Sequence, residues 1–198
     1  MPKSNSEPLE FLAETRAQWR TWLIENHLSA KGVWLYFYKK NSGKPVLPYA
    51  EAVEEALCFG WIDSKPGLVD DITSKLYYTP RNPKSYWSAL NKTRIEKLTA
   101  QGQIYPEGQR MIDLAKQTGT WDALNDVDNL LIPNDLQEAL ATLPNATTYF
   151  EAFPRSVKKG ILEWIMNAKT TDTRQKRIVE TATLAGQNIR ANQYVKKQ

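Results

Sequence analysis

The sequence predicts an α+β fold, in which a small antiparallel or mixed sheet is flanked by helices and followed by an all-helical C-terminal part. Runs rich in aromatic and β-branched residues, such as Val33–Tyr38, precede Pro83. After Pro83 the apolar residues recur at helical spacing. A chain of 198 residues with 41% apolar content can bury one good-sized core, or one core with a helical appendage. The sequence leaves open whether the two parts share a core.

The first predicted element is an amphipathic helix over residues 7–26. Its apolar side chains recur three and four positions apart and are expected to share one face: Leu9, Leu12, Trp19, Trp22 and Leu23. Ser4 or Ser6 is expected to cap this helix, because Pro8 is tolerated in a first helical turn. His27 is expected to lie at the C-terminal end of the helix.

Strands follow, with a short helix between them. Three strands are predicted: Val33–Tyr38, residues 61–65 and residues 75–79. The last two are expected to be joined by a turn at Pro66-Gly67. A helix over residues 49–59 precedes them and is expected to end at Gly60.

The remainder of the chain is predicted to be helical. Its helices are expected at about residues 85–100, 106–117, 134–143, 145–153, 155–169 and 172–187. Ser85 is expected to cap the first of them. The predicted organisation is an α+β region with the pocket at 8–120, a connector at 121–133, a helical region at 134–187 and a frayed basic tail at 188–198.

The composition excludes several kinds of site. Because the chain holds one cysteine, Cys58, and one histidine, His27, an internal disulfide and a cysteine- or histidine-rich metal site are excluded. No run of 18 apolar residues occurs, so no membrane span is expected, and the first residues do not resemble a secretory signal. We therefore expect a cytoplasmic protein without a metal or another cofactor. The oligomeric state is not indicated.

The helix predicted over residues 49–59 gathers acidic residues on one face. Four residues fall at positions i, i+3, i+4 and i+7: Glu51, Glu54, Glu55 and Cys58. One interpretation directs a carboxylate into a pocket beside Asp63, with Glu55 and Asp63 as candidate catalytic residues. The other interpretation is a solvated acidic face. Cys58, at the end of the helix and close to three acids, is expected to be buried and unreactive.

Cationic and aromatic residues between positions 61 and 91 form the best local case for binding. The candidate ligand-binding residues are Trp61, Asp63, Arg81, Lys84, Ser85, Trp87 and Asn91. Asp63 is expected to pair with Arg81, since an acid beside a tryptophan needs a partner. That pair is either structural or orients Arg81 toward a ligand carboxylate or phosphate. With Lys84 near a helix N-terminus, these residues predict a site for a small anionic molecule.

Three blocks of the sequence carry a resemblance to a known family: Glu51–Asp63, Thr79–Asn91 and the stretch from Gly119 to Ile178. They resemble the YdeI/OmpD-associated family, also called the bacteriocin-protection family, over about residues 10–187. The resemblance implies a small cytoplasmic α+β bacterial protein and a suggested protective role, without an established reaction, cofactor or catalytic residue. The chain departs from the family pattern at Pro48, where Ser or Thr is expected, and at Leu76-Tyr77, where many members have Gln-Arg.

Three functions are consistent with these residues. The first is binding of a small anionic ligand in a pocket lined by aromatic residues and Arg81. The second is an enzyme of unknown class that uses Glu55 or Asp63 as acid or base in the same pocket. The third is an adaptor for nucleic acid or an acidic partner, because residues 155–198 carry 10 Lys and Arg against 3 Asp and Glu. Its candidate residues are Arg174, Lys176 and Arg177, although no recognisable nucleic-acid-binding motif supports it.

Overall fold

The computed structural model describes residues 8–193, which belong to two compact units. Unit 1 is Met1–Asp122, and unit 2 is Ala123–Gln198. The described part of unit 1 contains a four-stranded mixed sheet together with helices, whereas the described part of unit 2 is helical. The predicted α+β class, with a sheet followed by a helical C-terminal part, is therefore confirmed.

The sheet of unit 1 has the strand order β1-β2-β4-β3. Its strands are β1 (Leu9–Leu12), β2 (Val33–Tyr38), β3 (Trp61–Leu68) and β4 (Thr73–Pro80). β1 runs parallel to β2, while β4 pairs antiparallel with both β2 and β3. The strand predicted at Val33–Tyr38 is confirmed with the same bounds, and the other two predicted strands are longer than expected.

The predicted helix over residues 7–26 is wrong in its first part. Residues Leu9–Leu12 form β1, and the helix α1 (Arg16–Asn26) begins later. Thr15 caps α1 through a capping box, in which its hydroxyl accepts the N–H of Gln18 and the Gln18 side chain accepts the N–H of Thr15. Main-chain pairing with β2 outweighs the helical spacing of the leucines in β1. Two predicted capping residues lie outside the described part of the chain: Ser4 and Ser6.

The turn predicted at Pro66-Gly67 is also wrong. Both residues lie within β3, and the chain reverses between Leu68 and Thr73 instead. Proline is tolerated there because β3 is an edge strand of the sheet and needs no N–H on its open side. The carboxylate of Asp70 stabilises the observed turn by accepting the N–H groups two and three residues later, at 2.9 and 2.6 Å.

The other helices of unit 1 are α2 (Tyr49–Cys58), α3 (Ala89–Ala100) and α4 (Pro106–Thr118). α3 begins four residues later than predicted, and Ser88 caps it by accepting the N–H of Asn91 at 3.3 Å. The predicted cap, Ser85, donates its hydroxyl to the carbonyl of Asn82 at 2.7 Å, in the turn before the helix. His27 lies at the C-terminal end of α1, as predicted.

α2 is the central element of unit 1, because every residue from Ala52 to Cys58 is buried. One apolar cluster joins α2 to α1 and the sheet and includes Trp19, Val33, Leu35 and Tyr78. A second cluster joins α2 to α3 and α4 and includes Trp87, Ile95 and Ile112. A helix that is buried on all faces must satisfy every polar side chain that it carries.

Unit 2 contains α5 (Asn125–Asp128), α6 (Asn134–Ala141), α7 (Ala146–Ala152), α8 (Arg155–Met166) and α9 (Thr171–Gly186). These helices enclose one cluster of apolar side chains, which includes Leu136, Phe150, Ile161, Ile165 and Ile178. The expected connector at 121–133 contains α5, and Leu124 and Val127 belong to the cluster. The last five residues of the tail expected at 188–198 lie outside the described part of the chain.

We expect Gly108→Ala to destabilise unit 1 by about 2 kcal/mol, within the range for overpacked cores. A Cβ built at Gly108 of α4 lies 2.2 Å from the carbonyl oxygen of Cys58, so the substitution must push α4 away from α2. Gly160→Ala in α8 is the matched control, because its Cβ meets nothing within 4 Å. The control is expected to stabilise its helix by about 0.5–1 kcal/mol. Thermal unfolding followed by circular dichroism measures both, and an unchanged Gly108→Ala midpoint would contradict the close helix contact.

Candidate functional site

Two glutamates of α2 are buried in a network of ion pairs. Glu55 is 2% exposed and accepts Nε of Arg16 at 2.5 Å and Nη1 of Arg20 at 2.7 Å. Glu54 accepts Nη1 of Arg16 and Nζ of Lys97, both at 3.0 Å. The interpretation of a solvated acidic face is therefore wrong for these two residues, because cations from α1 and α3 cover their carboxylates.

Contacts within the network favour the charged forms of Glu54, Arg16 and Arg20. Burial alone would raise the pKa of Glu54, but hydrogen bonds and charges from Lys97 and Arg16 outweigh burial and lower that pKa. Burial alone would lower the pKa values of Arg16 and Arg20, but contacts with the carboxylates raise them. Both oxygens of Glu55 accept guanidinium N–H groups, so a role in proton transfer would have to compete with two ion pairs. The arrangement is typical of a structural anchor.

Cys58 lies beside this network and is fully buried. Burial, and then the negative charge of Glu55, raise the pKa of its thiol to about 11. The thiolate is the nucleophilic form of cysteine, so this side chain is unreactive at neutral pH. The prediction of a buried, unreactive cysteine is confirmed.

Arg81, which follows β4, is a buried cation without a carboxylate partner among residues 8–193. The residue is 6% exposed, and its guanidinium carbon lies 3.9 Å from the centre of the Trp87 ring. Its Nη2 donates to the carbonyl oxygen of Tyr86, whereas its Nε is buried and has no hydrogen-bond partner within the described chain. Burial lowers the pKa of Arg81 to about 10, and no neighbouring anion raises it again.

The expected pair between Asp63 and Arg81 is not formed in the described structure. Asp63 instead accepts the hydroxyl of Tyr49, the first residue of α2, at 3.0 Å. A register shift between Asp63 and Lys65 interrupts the pairing of β3 with β4 at this point. This shift follows Asp63, so the predicted alternation from Trp61 to Asp63 is intact. The register places Asp63 opposite Tyr78, three residues before Arg81, and the Tyr49 hydroxyl supplies its hydrogen bond instead.

A second polar cluster surrounds Asp63 and is separate from Arg81 in its hydrogen bonds. Tyr78 of β4 lies opposite Asp63, and its hydroxyl is buried without a hydrogen-bond partner in the described chain. Burial, and then the charge of Asp63, raise the pKa of Tyr78. Arg94 of α3 acts electrostatically on Tyr78 and donates to Oδ1 of Asn91 at 2.8 Å. This cluster links β3, β4 and α3 beside the start of α2.

The candidate ligand-binding residues therefore fall into separate groups. Arg81 and Trp87 are in direct contact, whereas Asp63 and Asn91 belong to the cluster around Tyr78. The other three candidates belong to neither group. Trp61 is buried and its Nε1 donates to the carbonyl of His27. Lys84 is exposed, and Ser85 lies in the turn before α3. Five residues of the two polar clusters are not among the predicted site residues. They are Arg16 and Arg20 of the glutamate network, and Tyr49, Tyr78 and Arg94 around Asp63.

The basic residues of unit 2 are largely engaged within that unit. Arg174 makes two hydrogen bonds with the carboxylate of Asp135, at 2.7 and 3.0 Å, and this contact lowers the pKa of Asp135. Arg177 donates to the carbonyl oxygen of Trp164 and lies over its ring. Lys176 is exposed. The contacts of both arginines are those of a helical bundle held together by its own side chains.

Comparison with known families separates the chain into two matched segments. Residues 11–111, just over half of the chain, match a family model described as a domain of unknown function, DUF8412. The chain belongs to the DUF8412 family. Residues 129–188 match a second model, described as Bacteriocin-protection, YdeI or OmpD-Associated. No curated protein and no solved structure matches the chain.

The second match confirms the resemblance to the YdeI/OmpD-associated family, but over a shorter range than the expected residues 10–187. The block Glu51–Asp63 lies within the DUF8412 segment, together with Arg16, Glu55 and Arg81. Thus both the ion-pair network around Glu55 and the buried Arg81 belong to the DUF8412 part of the chain. Within residues 8–193, every helix is too short or too polar to cross a membrane.

We expect Glu55→Gln to lower the free energy of unfolding of unit 1 by about 3 kcal/mol. This value is at the lower end of the cost of breaking a buried ion pair, because both arginines also reach solvent. Urea unfolding followed by tryptophan fluorescence measures the change, since six of the seven tryptophans lie in unit 1. Glu96→Gln, an exposed glutamate of α3, is the control and is expected to change stability by less than about 0.5 kcal/mol.

Acid should weaken unit 1 partly through Glu54. Because contacts with Lys97 and Arg16 lower its folded-state pKa below the ordinary glutamate value of 4.5, its contribution to stability is present above that value. The contribution is lost as pH falls through the folded-state pKa. We therefore expect Glu54→Gln to lose less stability than the wild type between about pH 6 and about pH 3. Parallel slopes of unfolding free energy against pH would contradict this assignment.

Proposed function

We propose that unit 1 binds a small anionic molecule through Arg81, with Trp87 as the aromatic wall of the site. In this site a phosphate or carboxylate oxygen accepts the Nε–H of Arg81, and the guanidinium remains stacked on the indole ring. The proposal refines the expected anion site by reducing it to these two residues, with Lys84 as a peripheral charge.

One observation carries the proposal: the guanidinium of Arg81 is buried, positively charged and incompletely paired. A buried charge without an ion-pair partner costs free energy, and buried polar groups in native proteins have partners with few exceptions. Glu55 provides the contrast, because two arginines cover it completely. An anion bound to Arg81 would remove this cost, and the gain would appear as binding affinity.

The segment from Asn82 to Ser88 supplies a route to Arg81. It contains neither helix nor strand, and Asn82, Lys84 and Tyr86 are exposed. In our proposal an anion reaches the Nε–H when the exposed first part of this segment, residues 82–84, moves aside while Trp87 stays in place. The ammonium group of Lys84 adds positive charge beside the entrance.

The two alternative functions have weaker support. An enzyme that uses Glu55 as acid or base would have to break two ion pairs, and Asp63 is already hydrogen-bonded to Tyr49. An adaptor working through unit 2 would have to compete with the internal contacts of Arg174 and Arg177. We propose that the protein binds this anion in the cytoplasm, as expected from the sequence. Its single cysteine is buried and free, which is consistent with that compartment.

The proposal is tested by thermal unfolding of the full chain with inorganic phosphate, pyrophosphate, citrate and nucleoside monophosphates at constant ionic strength. A ligand at a hundredfold excess over its Kd stabilises the folded state by about 2.7 kcal/mol, which raises the unfolding midpoint by several degrees. We expect at least one anion to produce this rise in the wild type and none to produce it in Arg81→Gln. Arg110→Gln, an exposed arginine paired with Glu107, is the matched control and should keep the rise.

A second measurement covers the case in which Arg81→Gln does not fold. In the wild type, the Nε–H resonance of Arg81 is followed by nuclear magnetic resonance during titration with the same anions. Binding should move this resonance with the same midpoint as the thermal response. If an anion stabilises the protein while the Arg81 resonance stays unchanged, the binding site lies elsewhere and the assignment to Arg81 is wrong.

A further inference from the structure

One face of the sheet in unit 1 carries a group of aromatic rings and lysines that neither polar cluster uses. In β2 and β4, Val33, Leu35 and Tyr78 point into the core, so the residues between them point to the opposite side. The strand register places Trp34 beside Tyr77 and Tyr36 beside Lys75 on that side. Lys65 of β3 joins them, opposite Tyr77. We call these five residues the outer face; all but the exposed Lys65 are partly exposed.

The aromatic rings of the outer face lie along the sheet. A Cβ built at Gly32 meets the hydroxyl oxygen of Tyr77 at 2.4 Å, so the Tyr77 side chain extends over that glycine. A Cβ built at Gly67 meets the Trp34 ring at 2.9 Å and the Lys75 stem at 2.8 Å. The centroids of the Trp34 and Tyr77 rings are 5.1 Å apart and their planes are inclined at 51°, so each ring offers its own face to a base. Two glycines thus leave room for rings that rest on the strands, as a stacking platform requires.

The lysines place positive charge directly on this platform. Nζ of Lys75 lies 4.8 Å from the centre of the Trp34 ring and 4.9 Å from that of Tyr36. Nζ of Lys65 lies 5.4 Å from the centres of both the Trp34 and Tyr77 rings. Nζ of Lys75 also donates to the hydroxyl of Tyr36 at 3.0 Å, whereas Lys65 is held over the rings alone. Both lysines have flexible stems, so in our proposal Lys65 moves to a phosphate first, and Lys75 exchanges one neutral hydrogen-bond acceptor for a charged one.

Few acidic groups oppose this charge. The strand residues of β2, β3 and β4 include one carboxylate, Asp63, which lies opposite the inward-pointing Tyr78. Glu10 of β1 borders the outer face and accepts the hydroxyl of Tyr36 at 2.7 Å, while Asp70 and Asp71 occupy the turn after β3. Between that turn and Glu96 the chain has no acidic residue. The outer face is therefore positive where its rings are, with acidic groups only at its borders.

We propose that the outer face binds single-stranded nucleic acid. The rings of Trp34 and Tyr77 would stack on bases, and Lys65 and Lys75 would contact the adjoining phosphates. Aromatic side chains on the surface of a four-stranded sheet are a known way to hold two or three unstacked bases. An acidic protein segment would use the lysines but gain little from the rings, so it fits the face less well. This site is distinct from Arg81 and from the arginines of unit 2.

The test measures fluorescence anisotropy of labelled 12-nucleotide oligouridylate and oligothymidylate on the full chain at several salt concentrations. We expect binding that weakens about 10–100-fold in Trp34→Leu, because one stacked base is lost. Lys65→Gln combined with Lys75→Gln should lower the slope of log affinity against log salt by about 0.7 for each lysine. A duplex of the same length should bind more weakly, since its bases are already stacked.

Matched controls separate this proposal from the alternatives. Lys169→Gln combined with Lys176→Gln removes the same charge from exposed positions of unit 2 and should leave affinity and salt slope unchanged. Arg81→Gln should also bind the oligonucleotides as the wild type does. If the Trp34→Leu variant does not fold, the lysine variant decides the question, because Lys65 is exposed and Lys75 is partly so.

Three outcomes would overturn the proposal. The first is no measurable binding of either oligonucleotide at low salt. The second is equal affinity for an abasic 12-mer or for polyglutamate, which would identify an acidic polymer rather than bases as the partner. The third is a loss of affinity in the unit 2 lysine variant that matches the loss in the outer-face lysine variant.

Discussion

The architecture of unit 1 depends on the neutralisation of Glu54 and Glu55 inside a helix that is buried on all faces. A carboxylate removed from water is costly unless it is paired and hydrogen-bonded. Arg16 and Arg20 supply the pairing from α1, and Lys97 supplies it from α3. The same contacts attach three helices to one another, so the charges that make α2 expensive to bury also determine which helices lie beside it.

Pairing is uneven within unit 1, and our proposed site lies at the charge that is paired least completely. Glu55 has a guanidinium on each carboxylate oxygen, while Arg81 has one backbone carbonyl and a tryptophan ring. A fully paired group stabilises the fold and has no capacity left for a ligand. An incompletely paired group costs stability in the free protein and recovers it on binding, as expected of functional sites.

The sequence predicts what local patterns determine. Val33–Tyr38 is a strand because its aromatic and β-branched side chains suit a pleated surface. Cys58 is buried, as expected for a free cysteine, which usually packs as a small apolar side chain. Leu9–Leu12 shows the limit of this reasoning, since its helical spacing is overridden by parallel pairing with β2. No local pattern reports a partner that lies more than 20 residues away.

The candidate site is less predictable for the same reason. Glu55 has the spacing of a solvated helix face, and its burial depends on arginines 35 and 39 positions away. Arg16 and Arg20 are one helical turn apart, and this spacing is the local signal that could have suggested their pairing with an acidic helix. Asp63 is paired with Tyr49 rather than with Arg81. The register of β3 and β4 sets Asp63 opposite Tyr78, three residues before Arg81, and composition does not encode this register.

The two faces of the sheet explain why aromatic residues are frequent in unit 1 yet serve different purposes. On the inner face, Tyr78 packs against Trp19 of α1, with the two ring centroids 5.3 Å apart. Both rings belong to a closed core, to which each contributes buried apolar area. On the outer face, Trp34 and Tyr77 remain partly exposed and are covered by lysine side chains. A lysine over an exposed ring contributes about 0.5–1 kcal/mol to stability through the cation–π contact. The same exposed rings and lysines are the groups that our proposed partner, single-stranded nucleic acid, would use through its bases and its phosphates.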